Sequence, residues 1–191
     1  MKNLAIFCSG SGSNAESLMV WFRDHSDIKV ALLIYNKKDA GAKDRALKFG
    51  VPALYLKNAD FESEIGPVSK ALKQFHIDFV LLAGFLSLLP GWMVESYKDK
   101  ILNIHPSLLP EFGGKGMYGN NVHEAVKKSG IRETGMSIHL VNGNYDEGKI
   151  LFQATCPVLE SDSESDIAAR VLKLEHLHYP LVTEYFIISK S

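Results

Sequence analysis

The segment Leu102-Asn103-Ile104-His105-Pro106-Ser107-Leu108-Leu109-Pro110 sets an amide and an imidazole two residues apart. In an extended chain a period of two puts Asn103 and His105 on one side. Pro106 biases His105 towards an extended backbone and stops the strand there. An amide donor beside an imidazole suits acyl transfer, in which donors face a developing oxyanion and a nearby group delivers a proton to a leaving amine. Taken singly, each residue also fits a plainer role, Asn103 satisfying backbone at a strand end and His105 buried and hydrogen-bonded. The spacing, the proline and the expected strand end favour chemistry.

A second candidate is Gly10-Ser11-Gly12-Ser13-Asn14, between an apolar run and a helical pattern, where free N–H groups and the helix dipole suit a phosphate. Gly10, Gly12 and Ala15 also match G-x-G-x-x-A, the dinucleotide fingerprint. That reading needs an acidic residue closing the second strand, and Tyr35-Asn36-Lys37 stands there. A ligand-free turn, capped by Ser13 and Glu16, competes equally with a phosphate site. Asp146, in Asn142-Gly143-Asn144-Tyr145-Asp146-Glu147-Gly148, reads by composition as a surface turn. Folded over the strand ends, its carboxylate could pair with His105 and raise that pKa.

Leu86-Ser87-Leu88-Leu89, after Gly84, could wall an apolar pocket for a flat ring or pack in the core. His25, His76, His176 and His178 lack metal-ligand spacing, so no metal is expected. His139 faces opposite the apolar residues of its strand and is expected on a solvated face.

These residues need strands to hold them. Leu4 to Cys8, Val30 to Tyr35, Ala53 to Leu56, Phe79 to Ala83 and Ile101 to Ile104 read as strands. Helical patterns at Asn14 to His25, Ala42 to Phe49, Phe61 to His76 and Met93 to Lys98 alternate with them, and Gly66-Pro67 should kink or split the third. Alternation implies an α/β fold, an open, mostly parallel, Rossmann-like twisted sheet with helices on both faces. Met136, Ile138 and Leu140, the Asn142–Gly148 loop and Ile150 to Val158 predict an antiparallel hairpin at one edge. Ser163 and Asp166 open a last helix that Pro180 should bend or end.

At 191 residues, without an internal repeat or a divided composition, one domain over 1–191 is expected. A formal charge of -1 argues against a nucleic-acid partner. Cys8 and Cys156 sit in apolar runs and read as small buried hydrophobes in a reducing compartment. No apolar run is long enough to cross a bilayer and no signal peptide opens the chain, so a cytoplasmic protein without membrane contact is expected.

Across nearly its whole length the chain resembles the phosphoribosylglycinamide formyltransferases, a branch of the folate-dependent formyltransferase superfamily. Ser9 to Asn14, Leu82-Ala83-Gly84-Phe85, Leu102 to Pro110, Asp146-Glu147-Gly148, and Glu175-His176 before Tyr179-Pro180 carry the resemblance. It implies transfer of a formyl group from 10-formyltetrahydrofolate, a co-substrate, to glycinamide ribonucleotide in purine synthesis, without a metal. It further implies that Gly12, Ser13 and Asn14 hold the phosphate and Glu175 contacts the ribonucleotide. Leu86, Ser87, Leu88, Leu89 and Asn103 would meet the folate. Asn103 and protonated His105 would stabilise the oxyanion, with Asp146 supporting that charge.

Only small-molecule partners follow, and the chain would be a monomer or homodimer. Many members carry arginine where Ser87 stands and another near Glu64, and the Glu111–Gly119 stretch is longer than in many relatives. Lys115 is a candidate phosphate contact there. An amino-sugar formyltransferase, a dinucleotide-dependent oxidoreductase and a non-catalytic ligand-binding domain are the competing functions.

Overall fold

The computed structural model describes residues 1–190. Its strands are β1 (Lys2–Cys8), β2 (Ile28–Tyr35), β3 (Ala53–Tyr55), β4 (Phe79–Leu82), β5 (Ile101–His105), β6 (Glu133–Leu140) and β7 (Ile150–Pro157). Its helices are α1 (Ser13–Trp21), α2 (Ala42–Lys48), α3 (Pro67–Gln74), α4 (Gly91–Ser96), α5 (Asn120–Ser129) and α6 (Glu164–Ile188). The strands form one sheet in the order β3-β2-β1-β4-β5-β6-β7. β1 pairs in parallel with β2 and β4, β2 pairs in parallel with β3, and β6 and β7 are antiparallel. The expected mostly parallel α/β sheet with an edge hairpin is therefore present. The chain divides into two compact units, Met1–Leu102 and Asn103–Ser191.

In the first unit, Leu4 to Cys8 are fully buried, as are Leu32 to Ile34 of β2, which explains why these strands read as unbroken apolar runs. Burying each leucine, isoleucine or phenylalanine side chain among them is worth about 1.5–3 kcal/mol. Phe7, Phe61 and Phe85 form an aromatic cluster with centroids 5.2–5.6 Å apart. The helix expected over Phe61 to His76 splits: Asn58–Phe61 is a 3₁₀ turn and α3 opens at Pro67. A proline at the first helical position gives up an N–H that has no intrahelical partner anyway. The capping box that Ser13 and Glu16 would make in the ligand-free alternative does not form, because Ser13 is already helical behind a left-handed Gly12 and Glu16 pairs with Arg45.

The second unit departs further from expectation. Helix α5 has no counterpart in the sequence reading; it buries Val122, His123 and Val126 and ends on a left-handed Gly130. The wet face expected on β6 is buried, with Ser137 at 0 % and His139 at 2 % exposure. Helix α6 is capped by Ser163 and Asp166 as expected, yet it runs through Pro180 to Ile188. Pro180 is buried, as are Tyr179 and Thr183, both inaccessible, and burial of a helix face can offset the cost of the missing N–H. Cys8 and Cys156 are free and buried, and burial pushes the Cys8 thiol up to about 12.

Candidate active site

Strand β5 ends on His105, and both chemical residues of the strand reach one carboxylate. Asn103 Nδ2 donates to Asp146 Oδ1 at 3.3 Å, and His105 Nδ1 lies 3.5 Å from Asp146 Oδ2. The period-two argument thus brings Asn103 and His105 together, and the loop after β6 supplies Asp146. The Gly114 N–H donates to Asp146 Oδ2 at 3.0 Å and fixes the carboxylate from the other side.

The far side of the imidazole is tied as well, since His105 Nε2 lies 2.8 Å from the Phe112 carbonyl. A carbonyl only accepts, so Nε2 carries the proton in the neutral ring. Phe112 and Asp146, the two residues facing the ring nitrogens, both have a left-handed backbone, with φ of 52° and 55°. Asp tolerates that region through local hydrogen bonding, whereas for a phenylalanine it is a rare and strained conformation.

His139 belongs to the site and was misassigned to solvent. Its Nδ1 is 2.9 Å from the Leu140 carbonyl and must donate, which leaves Nε2 to accept from Asn103 Nδ2 at 3.0 Å. Nε2 also lies 3.5 Å from Asp146 Oδ1. Both amide protons of Asn103 are therefore directed, one to His139 and one to Asp146. The overlooked signal was the hairpin itself: a loop that turns back after β6 lies beside that strand's final inward residue. His123 of α5 was also missed; it is 6 % exposed, and its Nδ1 has no hydrogen-bond partner.

Burial pulls the His105 pKa below its ordinary value, opposed by Asp146 and the Phe112 carbonyl and helped by His139. This corrects the expectation of a raised pKa: at 4 % exposure, the cost of desolvating the cation outweighs one carboxylate. Burial, then the charge of His105, lowers His123 too. Burial pushes the Asp146 carboxyl up, but neighbouring His139 and His105 and the Gly114 N–H together hold it below its ordinary value. The resting site thus pairs an ionised Asp146 with a neutral His105 at neutral pH.

In the first unit, Gly12 has φ 76°, and a Cβ there would lie 2.6 Å from that of Ala42. Only glycine lets α2 approach this turn so closely. Arg45 Nε donates to the Ser11 carbonyl at 2.8 Å and braces the loop. Ser13 opens α1 and Asn14 follows it, with no side-chain cap on the first helical N–H groups. The Leu86 N–H donates to Ser9 Oγ at 3.0 Å, Leu89 enters the core, and Leu88 is 48 % exposed. Ser87 joins a neutral cluster: Asn36 Nδ2 donates to Asn58 Oδ1 at 2.7 Å and to Ser87 Oγ at 3.2 Å, and Ser87 Oγ donates to Asn58 Oδ1 at 3.0 Å. Glu175 is buried in α6 in the second unit, close enough to Tyr179 to raise its phenol pKa after burial has done so.

Among the described residues, no group of three or more His, Cys, Asp or Glu is arranged to hold a metal ion, and no helix is long and apolar enough to cross a membrane. Comparison with known proteins finds the family model described as formyl transferase over residues 2–183. The chain is 44 % identical over 183 residues to the chloroplastic phosphoribosylglycinamide formyltransferase of Arabidopsis thaliana, covering 93 % of this chain and 63 % of that protein. It therefore spans less than two thirds of the plant protein's length. To the phosphoribosylglycinamide formyltransferase of Bacillus subtilis it is 32 % identical, covering 95 % of this chain and 93 % of that one. The crystal structure of phosphoribosylglycinamide formyltransferase from Bacillus halodurans superposes with a TM-score of 0.89 at 31 % identity, covering 100 % of this chain and 97 % of that one. With a family match over nearly the entire chain and this site at the end of β5, the chain belongs to the formyl transferase family.

Proposed function

We propose that the chain transfers the formyl group of 10-formyltetrahydrofolate to the amine of 5'-phosphoribosylglycinamide, giving formylglycinamide ribonucleotide and tetrahydrofolate in purine biosynthesis. The observation that carries this reading is the convergence of Asn103 and His105 on Asp146 at a strand end. The likeness to phosphoribosylglycinamide formyltransferases over more than nine tenths of the chain supports the choice of substrates.

In this reaction the substrate amine attacks the formyl carbon, its N–C bond forming as the formyl carbonyl becomes an oxyanion. Asn103 Nδ2 turns one proton to that oxygen, giving up the longer 3.3 Å bond to Asp146 and keeping the 3.0 Å bond to His139. The proton lost by the attacking amine moves through Asp146 to His105, whose cation then lies between two acceptors already in place, the Asp146 carboxylate and the Phe112 carbonyl. The C–N bond to the folate breaks as that nitrogen takes a proton from His105, which returns the ring to its neutral state.

Backbone of Gly12, Ser13 and Asn14 takes the phosphate, which the uncapped start of α1 supports, and Lys115 is a further candidate for it. Glu175 contacts the ribonucleotide. Leu86, Ser87, Leu88 and Leu89 meet the pterin, and exposed Leu88 offers it apolar surface. The partners are these small molecules, with the chain a monomer or homodimer in the reducing cytoplasm, where buried Cys8 and Cys156 stay free. Mixing the chain with both substrates and following tetrahydrofolate release by absorbance tests the reading. Turnover with glycinamide ribonucleotide is the expected result. Turnover only with an amino sugar would reassign the acceptor, and turnover with neither would overturn the reading.

A further inference from the structure

The turn after His105 has to hold the imidazole against Asp146, and β6 and β7 supply its support. Ser137 and Gln153 face each other in the register of this hairpin. Ser137 Oγ donates to the Ser107 carbonyl at 2.6 Å and accepts from the Leu109 N–H at 2.9 Å. Gln153 Nε2 donates to the same hydroxyl at 2.8 Å and to the Leu109 carbonyl at 3.0 Å. Two side chains thus satisfy three backbone groups of the turn. A hydroxyl has one proton to give and two lone pairs to fill, so the fully buried Ser137 has no capacity left. Gly135, two residues earlier on the same face, has no room for a side chain, because a Cβ there would lie 1.9 Å from the Ala154 carbonyl oxygen of β7 and 2.9 Å from Leu108 Cδ2. Along this face of β6, Gly135 meets Leu108, Ser137 grips Ser107 and Leu109, and His139 grips Asn103.

We propose that Gln153 is a positioning residue for the transfer reaction, acting on His105 through the hydroxyl of Ser137. Its amide occupies one lone pair of Ser137, which directs the hydroxyl proton to the Ser107 carbonyl and the remaining lone pair to the Leu109 N–H. Those two bonds set the direction in which the chain leaves Pro106, and hence the depth at which His105 meets Asp146. Without the amide, the hydroxyl can rotate and the turn loses its fixed path. An imidazole shifted by about 1 Å can lose on the order of a hundredfold in rate. The kinetic part of this inference rests on the proposed formyl transfer.

Two variants test it: Gln153→Met, which keeps the length and removes both donors, and Gln153→Glu, which keeps the shape and presents acceptors. Both should lower kcat by roughly ten- to a hundredfold while KM for either substrate stays within about threefold. The pH dependence of kcat should shift with the His105 titration followed by NMR. Amide exchange at Leu109, whose N–H has Ser137 as its partner, should quicken at least about tenfold while amides of β1 keep their protection. Unchanged Leu109 exchange in both variants, or a slower kcat with an unmoved His105 titration, overturns the inference. If wild type shows no turnover, the transfer reading fails, and the exchange and titration results still decide whether Gln153 governs the turn.

Discussion

Two loops of similar composition are used in opposite ways. Gly10 to Asn14, in the first unit, is a backbone device: its left-handed Gly12 lets α2 come close, its helix start carries no side-chain cap, and Arg45 holds it by a carbonyl. Asn142 to Gly148, in the second unit, is a side-chain device that delivers Asp146 to two histidines and an asparagine. Gly148 is close-packed like Gly12, but its neighbours are the Leu140 carbonyl and His139 Nδ1, so its small size makes room for the contact between those two groups. A loop that works through its backbone is recognisable from its glycines. One that works through a single carboxylate looks like any turn.

This contrast predicts different losses. His105→Ala should lower kcat by about a thousandfold in a protein that melts as wild type, and a rate near wild type would show the imidazole is misassigned. Asp146→Asn should lower kcat by roughly a hundredfold. Because Asp146 raises the His105 pKa, its loss should move the pH–rate profile towards acid, and a profile that stays in place would separate the two residues.

Gly148→Ala pushes a methyl against the Leu140 carbonyl that receives His139 Nδ1, so kcat should fall by about ten- to thirtyfold together with Tm. Gly12→Ala should act on the other kind of loop, raising KM for the ribonucleotide by about tenfold with kcat little changed; a fall in kcat alone would erase the distinction.

The smallest effect concerns stability. The pKa values of folded His105 and His123 lie below their ordinary values, so the unfolded chain takes up protons first as pH falls. Their contribution is whole above about pH 6.5 and is lost as pH drops towards the folded values. His123→Leu should flatten that decline by about 2–4 °C in Tm near pH 5.5, and a slope equal to wild type would exclude His123 as a cause.

The parallel strands were legible because burial on both faces writes an apolar run, and Asn103 with His105 because spacing on a strand is a geometric statement. That α6 would not end at Pro180 was not legible, because a proline's local penalty cannot be weighed in advance against the burial of residues such as Tyr179 and Thr183. His139 was misread because alternation shows which residues differ along a strand, whereas the depth of each face depends on what covers it. Asp146 carried no signal beyond resemblance, since its contacts span 41 residues to His105 and 43 to Asn103. The sign of the His105 shift depends on how deeply the ring is buried, which the residue types around it do not state.

The left-handed backbone at Asp146 has a consequence for drift and design. Glycine or asparagine would settle into that geometry more comfortably than aspartate, so selection for thermal tolerance alone would tend to erase the carboxylate. Mutants recovered for heat resistance without a demand for turnover should accumulate changes at such positions, Phe112 as well as Asp146, and if the proposed transfer depends on Asp146, a screen that scores folding alone would discard it.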